Sequence, residues 1–467
     1  MRKLVVLTLI AFGFCSCYAQ ENSLAISLQN DSIVIASLYK SALTSSGGYD
    51  NLRELTSKAP HRLAGSEGCA NGIKILFNQL KALNPDTVYL QPAMALPWLR
   101  GEKEVVYIEL PKGKRILLHA SALGGSVGTG LKGLAAEVVE VKSFEELKAL
   151  GEANVKGKIV FYNLAMDPAL FNPGEGYGRA AFQRTAGASE AAKYGAIATL
   201  VRSLTNRIDT FPHTGVMRYA DTTNMIPSVA ISTFDAELLS TRLKSDPTQR
   251  VFIRTTCKSL PAVVSYNVIA ELKGGEKPEE IITIGGHLDS WDLGEGAHDD
   301  GVGCMHAMEV IRLFKQNGIQ PKRTIRVVLF LDEETHQVGA KAYAASVKDK
   351  GEKIYVGIES DSGGGAPKGF GMSASPAQME SFRQLMGILA PYDLYQLRNG
   401  GGGVDVGFLK PLGVPTMNVL PSPHRYFYYH HSAFDTFKEI DMREVQLGCA
   451  AHAALVYLID KYDTLGS

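Results

Sequence analysis

The sequence predicts an α/β fold in which a mostly parallel β-sheet is covered by helices on both faces. The first observation is that apolar strand-like segments and helical segments alternate from residue 263 onward, which is the order typical of parallel sheets. The second is that segments such as IRVVLFL (325–331) are almost wholly apolar, as strands buried on both faces are. The third is a change of pattern between 126 and 255, where short β segments carry few clustered histidines or carboxylates. We therefore predict a main domain formed by 20–125 with 256–467, and an inserted α/β domain over 126–255.

Helices are predicted where apolar residues recur at helical spacing. After Ser66 and Glu67, which can begin a helix, Ile73, Leu76 and Leu80 fall on one face. The other predicted helices cover 23–46, 143–150, 179–194, 234–243, 301–316, 338–348, 375–389 and 440–461. Strands are predicted at about 87–92, 104–110 and 115–119, in four short segments of the inserted domain, and at 265–274, 281–290, 324–332, 353–361 and 416–420.

The N-terminus has the pattern of a secretory signal. The segment MRKLVVLTLIAFGFCSCYAQ has two basic residues, an apolar run of about ten residues and a small residue at Ala19. We predict cleavage after Ala19 (signal peptide 1–19) and an exported protein, periplasmic or extracellular. A lipid anchor on Cys17 is the alternative, although Phe14 is unusual in such signals. No later segment has about 20 uninterrupted apolar residues, so no transmembrane helix is predicted.

The composition argues against a nucleic-acid partner and against a cysteine-based zinc site. Lys plus Arg and Asp plus Glu both number 48, so the chain lacks the basic excess of a nucleic-acid-binding protein. Four cysteines remain after the predicted cleavage, and none lies in a CxxC motif, so a thiolate zinc site is not expected. Their pairing cannot be read from the sequence, and buried free thiols are an equal alternative; they are Cys69, Cys257, Cys304 and Cys449.

Charged residues follow four of the predicted strands. Each group has an ordinary explanation when taken alone, as a hydrogen-bonded pair, a solvated loop, a turn or a packed edge. In a parallel sheet, however, the carboxyl ends of the strands meet at one edge. Four such groups together favour a metal site at that edge. They are His287 with Asp289, Asp332 with Glu333 and Glu334, Asp361, and His430 with His431 and Asp435.

The ligand types also select the metal. Imidazole and carboxylate without thiolate favour Zn²⁺, with Mn²⁺ or Co²⁺ as alternatives. There are more carboxylates than one ion needs, so we predict two Zn²⁺ per chain. One aspartate would bridge the two ions at about 3.5–4 Å separation, and one glutamate would remain as a general base.

Longer motifs carry a resemblance to a known family. The segments PHRLAGSEG (60–68), GGHLDSWDLGEGAHDDGVG (285–303), LDEETHQVGA (331–340), IESDSG (358–363) and HHSAFDT (430–436) resemble those of the co-catalytic zinc peptidases. This family includes bacterial leucyl aminopeptidases and glutamate carboxypeptidases. The likeness covers nearly all of the mature chain and implies a zinc exopeptidase fold. The 126–255 segment resembles the protease-associated domain that many members insert.

The resemblance implies a role for each charged residue of these motifs. Glu333 would be the general base, and Asp289 would orient the imidazole of His287, whose second ring nitrogen needs a partner. The zinc ligands would be His287 and Asp361 for the first ion, Glu334 and His431 for the second, and Asp299 for both.

The remaining polar residues of the motifs receive structural interpretations. Asp292 and Asp300 are expected to be structural, and Asp435 is expected to fix the loop that bears His431. The glycine-rich segment RNGGGGVDVGF (398–408) is either a flexible linker or an ordered pocket loop, with Asp405 as a candidate near the substrate. PSPHRYFYYHH (421–431) is expected either to line the pocket or to pack on the closing helix. His298 and His306 are expected to be packing or solvent residues, and His430 is expected to pack beside the site.

The resemblance implies an exported di-zinc exopeptidase that hydrolyses dipeptides or short peptides with a free terminus, through a metal-bridging hydroxide and a glutamate base. Which terminus is recognised stays open at this point. Two alternatives share the scaffold: a glutaminyl cyclase with one zinc, and a non-catalytic binding protein. All five ligand positions are filled in this sequence, which favours hydrolysis. A homodimer is an expectation from the family alone.

Overall fold

The computed structural model describes residues 29–465. The predicted signal peptide, the alternative anchor at Cys17 and the start of the predicted helix 23–46 lie outside the described residues. Within residues 29–465 the chain forms two eight-stranded sheets and one two-stranded pairing, with helices packed against both large sheets.

The strands and helices are numbered in chain order. The strands are β1 Thr87–Ala95, β2 Trp98–Leu99, β3 Val105–Glu109, β4 Arg115–Leu117, β5 Ala120–Ala122, β6 Leu134–Val141, β7 Ile159–Tyr162, β8 Ala198–Arg202, β9 Ser228–Ile231, β10 Arg250–Arg254, β11 Lys258–Ser259, β12 Val263–Leu272, β13 Lys277–His287, β14 Arg323–Phe330, β15 Lys353–Glu359, β16 Pro367–Ser373, β17 Gln396–Asn399 and β18 Thr416–Pro421. The helices are α1 29–43, α2 Gly47–Lys58, α3 Glu67–Ala82, α4 Phe144–Val155, α5 Pro173–Ala180, α6 Phe182–Thr185, α7 Gly187–Ala192, α8 Thr233–Ser245, α9 Val302–Gln316, α10 Val338–Lys350, α11 Pro376–Arg383, α12 Tyr426–Tyr429 and α13 Met442–Lys461.

The first sheet confirms the predicted α/β fold. Its strand order is β1-β12-β14-β13-β15-β18-β16-β17, and the central strands β14, β13, β15 and β18 are mutually parallel. Antiparallel pairs lie toward both edges. Helices α2, α3, α9 and α13 cover one face and α10 covers the other. The central strands are therefore buried on both sides, which explains their apolar sequences.

The second sheet has the order β4-β3-β10-β6-β7-β8-β9-β5, with β6 to β9 parallel. It lies within the predicted insertion, but it also includes β3, β4 and β5, which precede residue 126. The predicted helix 179–194 is divided into α5, α6 and α7. Gly187 begins the third piece against the ring of Tyr162, whose hydroxyl donates to the Gly187 carbonyl at 2.8 Å. The division of the chain at 126 and 255 stays a proposal.

Buried polar contacts join the second sheet to the first. Arg100 donates to both carboxylate oxygens of Asp292, at 2.6 and 2.8 Å, and the N–H of Thr214 donates to the carbonyl of His431 at 2.9 Å. Asp292 therefore has a structural partner in Arg100, which lies between β2 and β3. All four cysteines described are buried free thiols. Among residues 29–465, no helix combines the length and apolar character that crossing a membrane requires.

Candidate metal centre

The carboxyl ends of the central parallel strands bring the predicted site residues together. Strand β13 ends at His287, and β14 leads directly into the segment with Glu333 and Glu334. Strand β15 precedes Asp361, and β18 leads into the segment with His431. Because these strands run in one direction, their following residues share one edge of the sheet.

His287 lies at the centre of the first group of polar side chains. Its Nε2 is 3.2 Å from Oδ1 of Asp299 and 3.8 Å from Oδ1 of Asp361. The residue before His287 is a glycine, Gly286. A Cβ atom there would lie only 2.4 Å from Oδ2 of Asp300, so a larger residue would clash. That carboxylate accepts the backbone N–H of His287 at 3.0 Å, so Asp300 positions His287, in agreement with its predicted structural role.

His431 lies at the centre of the second group. Its Nε2 is 3.0 Å from Oε2 of Glu334 and 3.5 Å from Oδ2 of Asp299. Its neighbour His430 stacks on it with 3.5 Å between ring centroids and places Nε2 3.9 Å from the same Asp299 oxygen. His430 therefore packs beside the site, where it is expected, and its ring also lines the cavity.

Asp299 is shared between the two groups. Its Oδ1 faces His287 and its Oδ2 faces His431. The Oδ2 atom, like Oε1 of Glu334, is buried without a hydrogen-bond partner among the described residues. Potential ligand atoms from Asp299 lie within 4.8 Å of those of His287 and Asp361, and of His430 and His431. Unpaired buried carboxylate oxygens beside imidazoles fit a zinc site.

The buried carboxylates of this cluster also favour the binding of a cation. Burial raises the pKa of Asp299 above its usual range, even though His287 hydrogen-bonds to it. Burial raises the pKa of Glu334 further, and the charges of Asp299 and Glu333 add to the effect. His287 behaves differently, since burial alone would lower its pKa, whereas its contacts with Asp289, Asp299 and Asp361 raise it well above the ordinary value. A divalent cation would relieve the repulsion among the carboxylates.

Glu333 lies in the same cavity as the predicted ligands. The cavity has a volume of about 700 Å³ and is also lined by Asp299, Glu334, Asp361 and His431. Burial raises the pKa of the Glu333 carboxyl well above its usual range, and the charges of Asp361, Asp289 and Asp299 raise it further. A carboxylate with a raised pKa in a cavity is suited to accepting and returning a proton.

Asp289 lies against the imidazole of His287 with both its backbone and its side chain. The nearest oxygen to Nδ1 of His287 is the backbone carbonyl of Asp289, at 3.1 Å, and the carboxylate is at 3.6 Å. The Asp289 carboxylate also accepts the backbone N–H of Glu333 at 3.1 Å. Asp289 therefore places both a carbonyl against the imidazole and a carboxylate against the main chain of Glu333.

Two other predicted residues lie beside the cavity without lining it. The carboxylate of Asp405, the candidate near the substrate, is buried, whereas its neighbour Val404 lines the cavity. The carboxylate of Asp435, which is expected to fix the loop bearing His431, accepts hydrogen bonds from the backbone of residues 297–299. The segment 421–431 does line the cavity, as one of its two predicted roles required.

The remaining histidines pack as expected. The ring of His298 stacks on Tyr429 with 4.2 Å between centroids, and its Nδ1 accepts the N–H of Gly364. His306 lies against Ser360, with 2.9 Å between Nδ1 and the hydroxyl. Neither ring belongs to the groups around Asp299.

Sequence reasoning missed the contribution of the second sheet to this cavity. Arg184 in α6 and Tyr177 in α5 both line it. Nη1 of Arg184 is 3.4 Å from Nδ1 of His431, and its Nη2 donates to the Tyr177 hydroxyl at 2.7 Å. No local motif distinguishes Arg184 from the other arginines of this segment, so only the packing of the two sheets identifies it.

Comparisons with known proteins agree with this arrangement. The profile described as Peptidase family M28 matches residues 267–456. Human carboxypeptidase Q is 35% identical over 412 residues, covering 88% of this chain and 84% of the human protein. Bovine carboxypeptidase Q is 35% identical over 428 residues, covering 92% of this chain and 88% of the bovine protein.

Solved structures show the same fold. The crystal structure of a Peptidase M28 precursor from Shewanella amazonensis has a TM-score of 0.88 and 33% identity, and the match covers 93% of this chain and 97% of that one. A zinc aminopeptidase from Bacillus subtilis has a TM-score of 0.64 and 19% identity, covering 89% of this chain and 95% of that one. The second likeness concerns the fold alone.

Proposed function

The chain belongs to peptidase family M28 and is a zinc metallopeptidase of the exopeptidase type, and we propose that it hydrolyses short peptides with a free carboxyl terminus at a two-zinc centre. The observation that carries the two-zinc part is the position of Asp299. One of its carboxylate oxygens faces His287 and the other faces His431, so a single carboxylate serves two separate groups of ligand atoms.

The ligand assignment follows these two groups. His287 and Asp361 would hold one zinc, Glu334 and His431 would hold the other, and Asp299 would bridge them. His430 is not assigned as a ligand, because its Nε2 is farther from Asp299 than that of His431, at 3.9 against 3.5 Å. When bound, the zinc pair polarises the scissile carbonyl and lowers the pKa of water near the site.

Glu333 would move the proton in this reaction. Its carboxylate accepts a proton from the attacking water as the oxygen of that water bonds to the scissile carbonyl carbon. It then returns the proton to the amine nitrogen as the C–N bond breaks. The hydrogen bond from the backbone of Glu333 to Asp289 holds the main chain of this base while its side chain remains in the cavity.

Arg184 supports recognition of a free carboxylate. The other buried arginines have anionic or carbonyl partners within the protein: Arg202, Arg323 and Arg326 pair with glutamates, and Arg62 donates to four backbone carbonyls. Arg184 is only 5% exposed, yet its guanidinium pairs with no carboxylate among the described residues, and its Nε, like that of Arg202, has no partner there.

The tautomer of His431 leaves Arg184 with still fewer partners. If Nε2 of His431 binds a metal, Nδ1 carries the proton and points it toward the carbonyl of Thr214, 3.4 Å away. Nη1 of Arg184 then has no acceptor at this ring. A buried guanidinium without an anion is unfavourable, and its planar fork matches a carboxylate. We therefore assign the terminal carboxylate of the substrate to Arg184.

The shape of the cavity limits the substrate to a short peptide. Its volume of about 700 Å³ is within the range of small-ligand sites. Tyr177 from α5 and Arg184 from α6 form one wall, and Tyr426 and Phe427 from α12 form another. The second sheet would thus act as a cover over the site, which is the role proposed for the inserted domain. Export rests on the N-terminal sequence, and a homodimer rests on the family resemblance alone.

A panel of dipeptides tests the proposal. Free, N-acetylated and C-amidated forms are incubated with the protein, and bound metal is counted before and after chelation. We expect about two zincs per chain, loss of cleavage on chelation, and a strong preference for the free carboxyl terminus. Cleavage of the amidated but not the acetylated peptides would make the protein an aminopeptidase. One zinc with cyclisation of N-terminal glutamine would identify a cyclase instead.

A further inference from the structure

The carboxylate of Asp435 binds three consecutive backbone N–H groups of the loop that carries Asp299. Its Oδ1 accepts from Ala297 at 3.1 Å and from His298 at 2.7 Å, and its Oδ2 accepts from Asp299 at 3.1 Å. Asp435 is 3% exposed. Both carboxylate oxygens of Asp435 therefore accept hydrogen bonds from this one loop.

The same loop is held from its other side by a buried cation. Arg62, in the PHRLAGSEG segment, donates to the carbonyl of Glu295 at 2.7 Å and to the carbonyl of Gly296 at 2.8 Å. Arg62 thus binds two backbone carbonyls of residues 295–299, and Asp435 binds three backbone N–H groups of the same loop. Together these contacts hold the loop in place. Asp299 itself has extended, non-helical backbone angles, so no helical carbonyl accepts its N–H, and Asp435 supplies the acceptor.

Asp435 also belongs to the segment that carries His431. Asp435 lies four positions after His431 in the HHSAFDT motif, so a shift of that segment moves both together. Asp300 and Asp289 act similarly on His287 and Glu333 through single backbone N–H groups. Asp435 differs because it connects the segment of one ligand, His431, to the loop of another, Asp299.

We propose that Asp435 is a positioning residue, which holds the carboxylate of Asp299 midway between the two metal positions. This inference rests on the proposed function, in which Asp299 bridges two zincs. Without the three hydrogen bonds, the loop 295–299 can shift relative to His431, and one oxygen of Asp299 would lose its alignment with one group of ligands. Residues that orient a metal ligand affect metal affinity as well as turnover.

The test compares Asp435→Asn with a matched buried aspartate far from the centre. Asp460, on α13, is 5% exposed and accepts the backbone N–H groups of Lys322 at 2.7 Å and Arg323 at 2.8 Å. Asp460→Asn therefore reports the cost of weakening such contacts in general. For the full-length protein, zinc affinity is measured by competition with a chelator, and the absorption spectrum of the cobalt-substituted protein reports ligand geometry. Thermal unfolding is followed in parallel.

We expect Asp435→Asn to weaken zinc binding by about 10- to 100-fold and to alter the cobalt spectrum, with kcat lowered more than KM changes. Asp460→Asn should lower the unfolding temperature while zinc affinity and spectrum stay as in the wild type. Unchanged zinc affinity and spectrum in Asp435→Asn would overturn the inference. If that variant does not fold, Asp435→Glu, which keeps the carboxylate, undergoes the same comparison with the same two outcomes.

The same measurements separate this inference from the proposed function. If the wild-type protein binds two zincs but cleaves no peptide, the proposed function fails, and the zinc affinity of Asp435→Asn still decides the role of Asp435. If the wild type is an active peptidase and Asp435→Asn binds zinc normally, only the positioning role fails.

Discussion

The backbone N–H of Glu333 donates a 3.1 Å hydrogen bond to Oδ1 of Asp289, and that oxygen also lies 3.6 Å from Nδ1 of His287. The main chain of the proposed base and the ring of a proposed ligand are therefore tied to one side chain. Strands β13 and β14 are neighbours in the sheet, so this side chain links the two segments that follow them and carry the proposed ligand and base.

Glu333→Gln should abolish most turnover while leaving metal binding intact. Glutamine has the same size and keeps the backbone bond to Asp289, but it cannot accept a proton from water. We expect kcat to fall by about 10²- to 10⁴-fold, with two zincs retained by elemental analysis. Glu334→Gln is the contrasting variant, because it removes a proposed ligand and should lose one zinc. A Glu333→Gln protein with wild-type turnover would contradict the assignment.

Arg184→Met should weaken recognition of the free carboxyl terminus. The buried guanidinium would lose its charge, so kcat/KM for peptides with a free carboxylate should fall by about 10- to 100-fold. Peptides with an amidated C-terminus lack that partner and should change little. Arg398→Met is the matched control, because Arg398 also lines the cavity but is exposed at its rim. An equal loss for free and amidated peptides would exclude this role for Arg184.

Zinc removal should destabilise the protein, and the effect should grow with pH. Burial raises the pKa of Glu334 and Asp299, and it raises that of Asp435 to about 7. A carboxyl whose pKa is raised in the folded state stabilises that state at low pH and loses this contribution as pH rises through the folded pKa. The chelated protein should therefore become less stable between about pH 6.5 and about pH 8.

The lower limit of this range reduces an opposite effect. Burial and nearby positive charges lower the pKa of His430 and His431 well below the ordinary value, so the folded rings are neutral across the range, and the unfolded rings, with a pKa of about 6.5, lose most of their remaining charge within about one pH unit. Zinc at 100 times its Kd should add about 2.7 kcal/mol to the free energy of unfolding. Parallel unfolding curves for zinc-loaded and chelated protein across the range would contradict the prediction.

Gly124→Ala should destabilise the contact between the two sheets. A methyl group at this position would lie 1.9 Å from the ring of Trp291, and that ring lies 5.6 Å from His431 between centroids. We expect a loss of about 1–3 kcal/mol in the free energy of unfolding, as overpacking usually causes. Gly178→Ala is the control, since nothing lies within 4 Å of an added methyl group there. Equal stability of the two variants would show that Trp291 moves freely.

Residues at the ends of parallel strands could be predicted from the sequence because their position follows from chain direction alone. His287, Glu333, Glu334 and Asp361 each come directly after an apolar segment, and parallel strands bring such residues to one edge. His431 follows its strand at a longer distance, and its motif identified it. These five residues lie together with Asp299 in the structure, although their roles as ligands and base remain proposals.

Residues that act from a distant part of the chain could not be predicted in this way. The sequence gives Arg184 no motif, and its contact with His431 spans 247 positions of the chain. Asp405 follows a glycine-rich segment and suggested a pocket residue, yet its side chain points into the protein, where burial raises its pKa well above the usual range. In both cases the surroundings of the side chain decide its role, and those surroundings come from other elements.

The amino-acid sequence by itself determined the α/β class, the edge of the sheet at which the candidate site lies and the imidazole and carboxylate character of its side chains. Local patterns suffice for these features, since strand periodicity and ligand type are properties of short segments. Only the tertiary structure decided that Asp299 faces two groups of potential ligand atoms, that Asp435 binds its loop and that Arg184 lines the cavity. These contacts depend on how separate segments pack, and packing is a property of the whole folded chain.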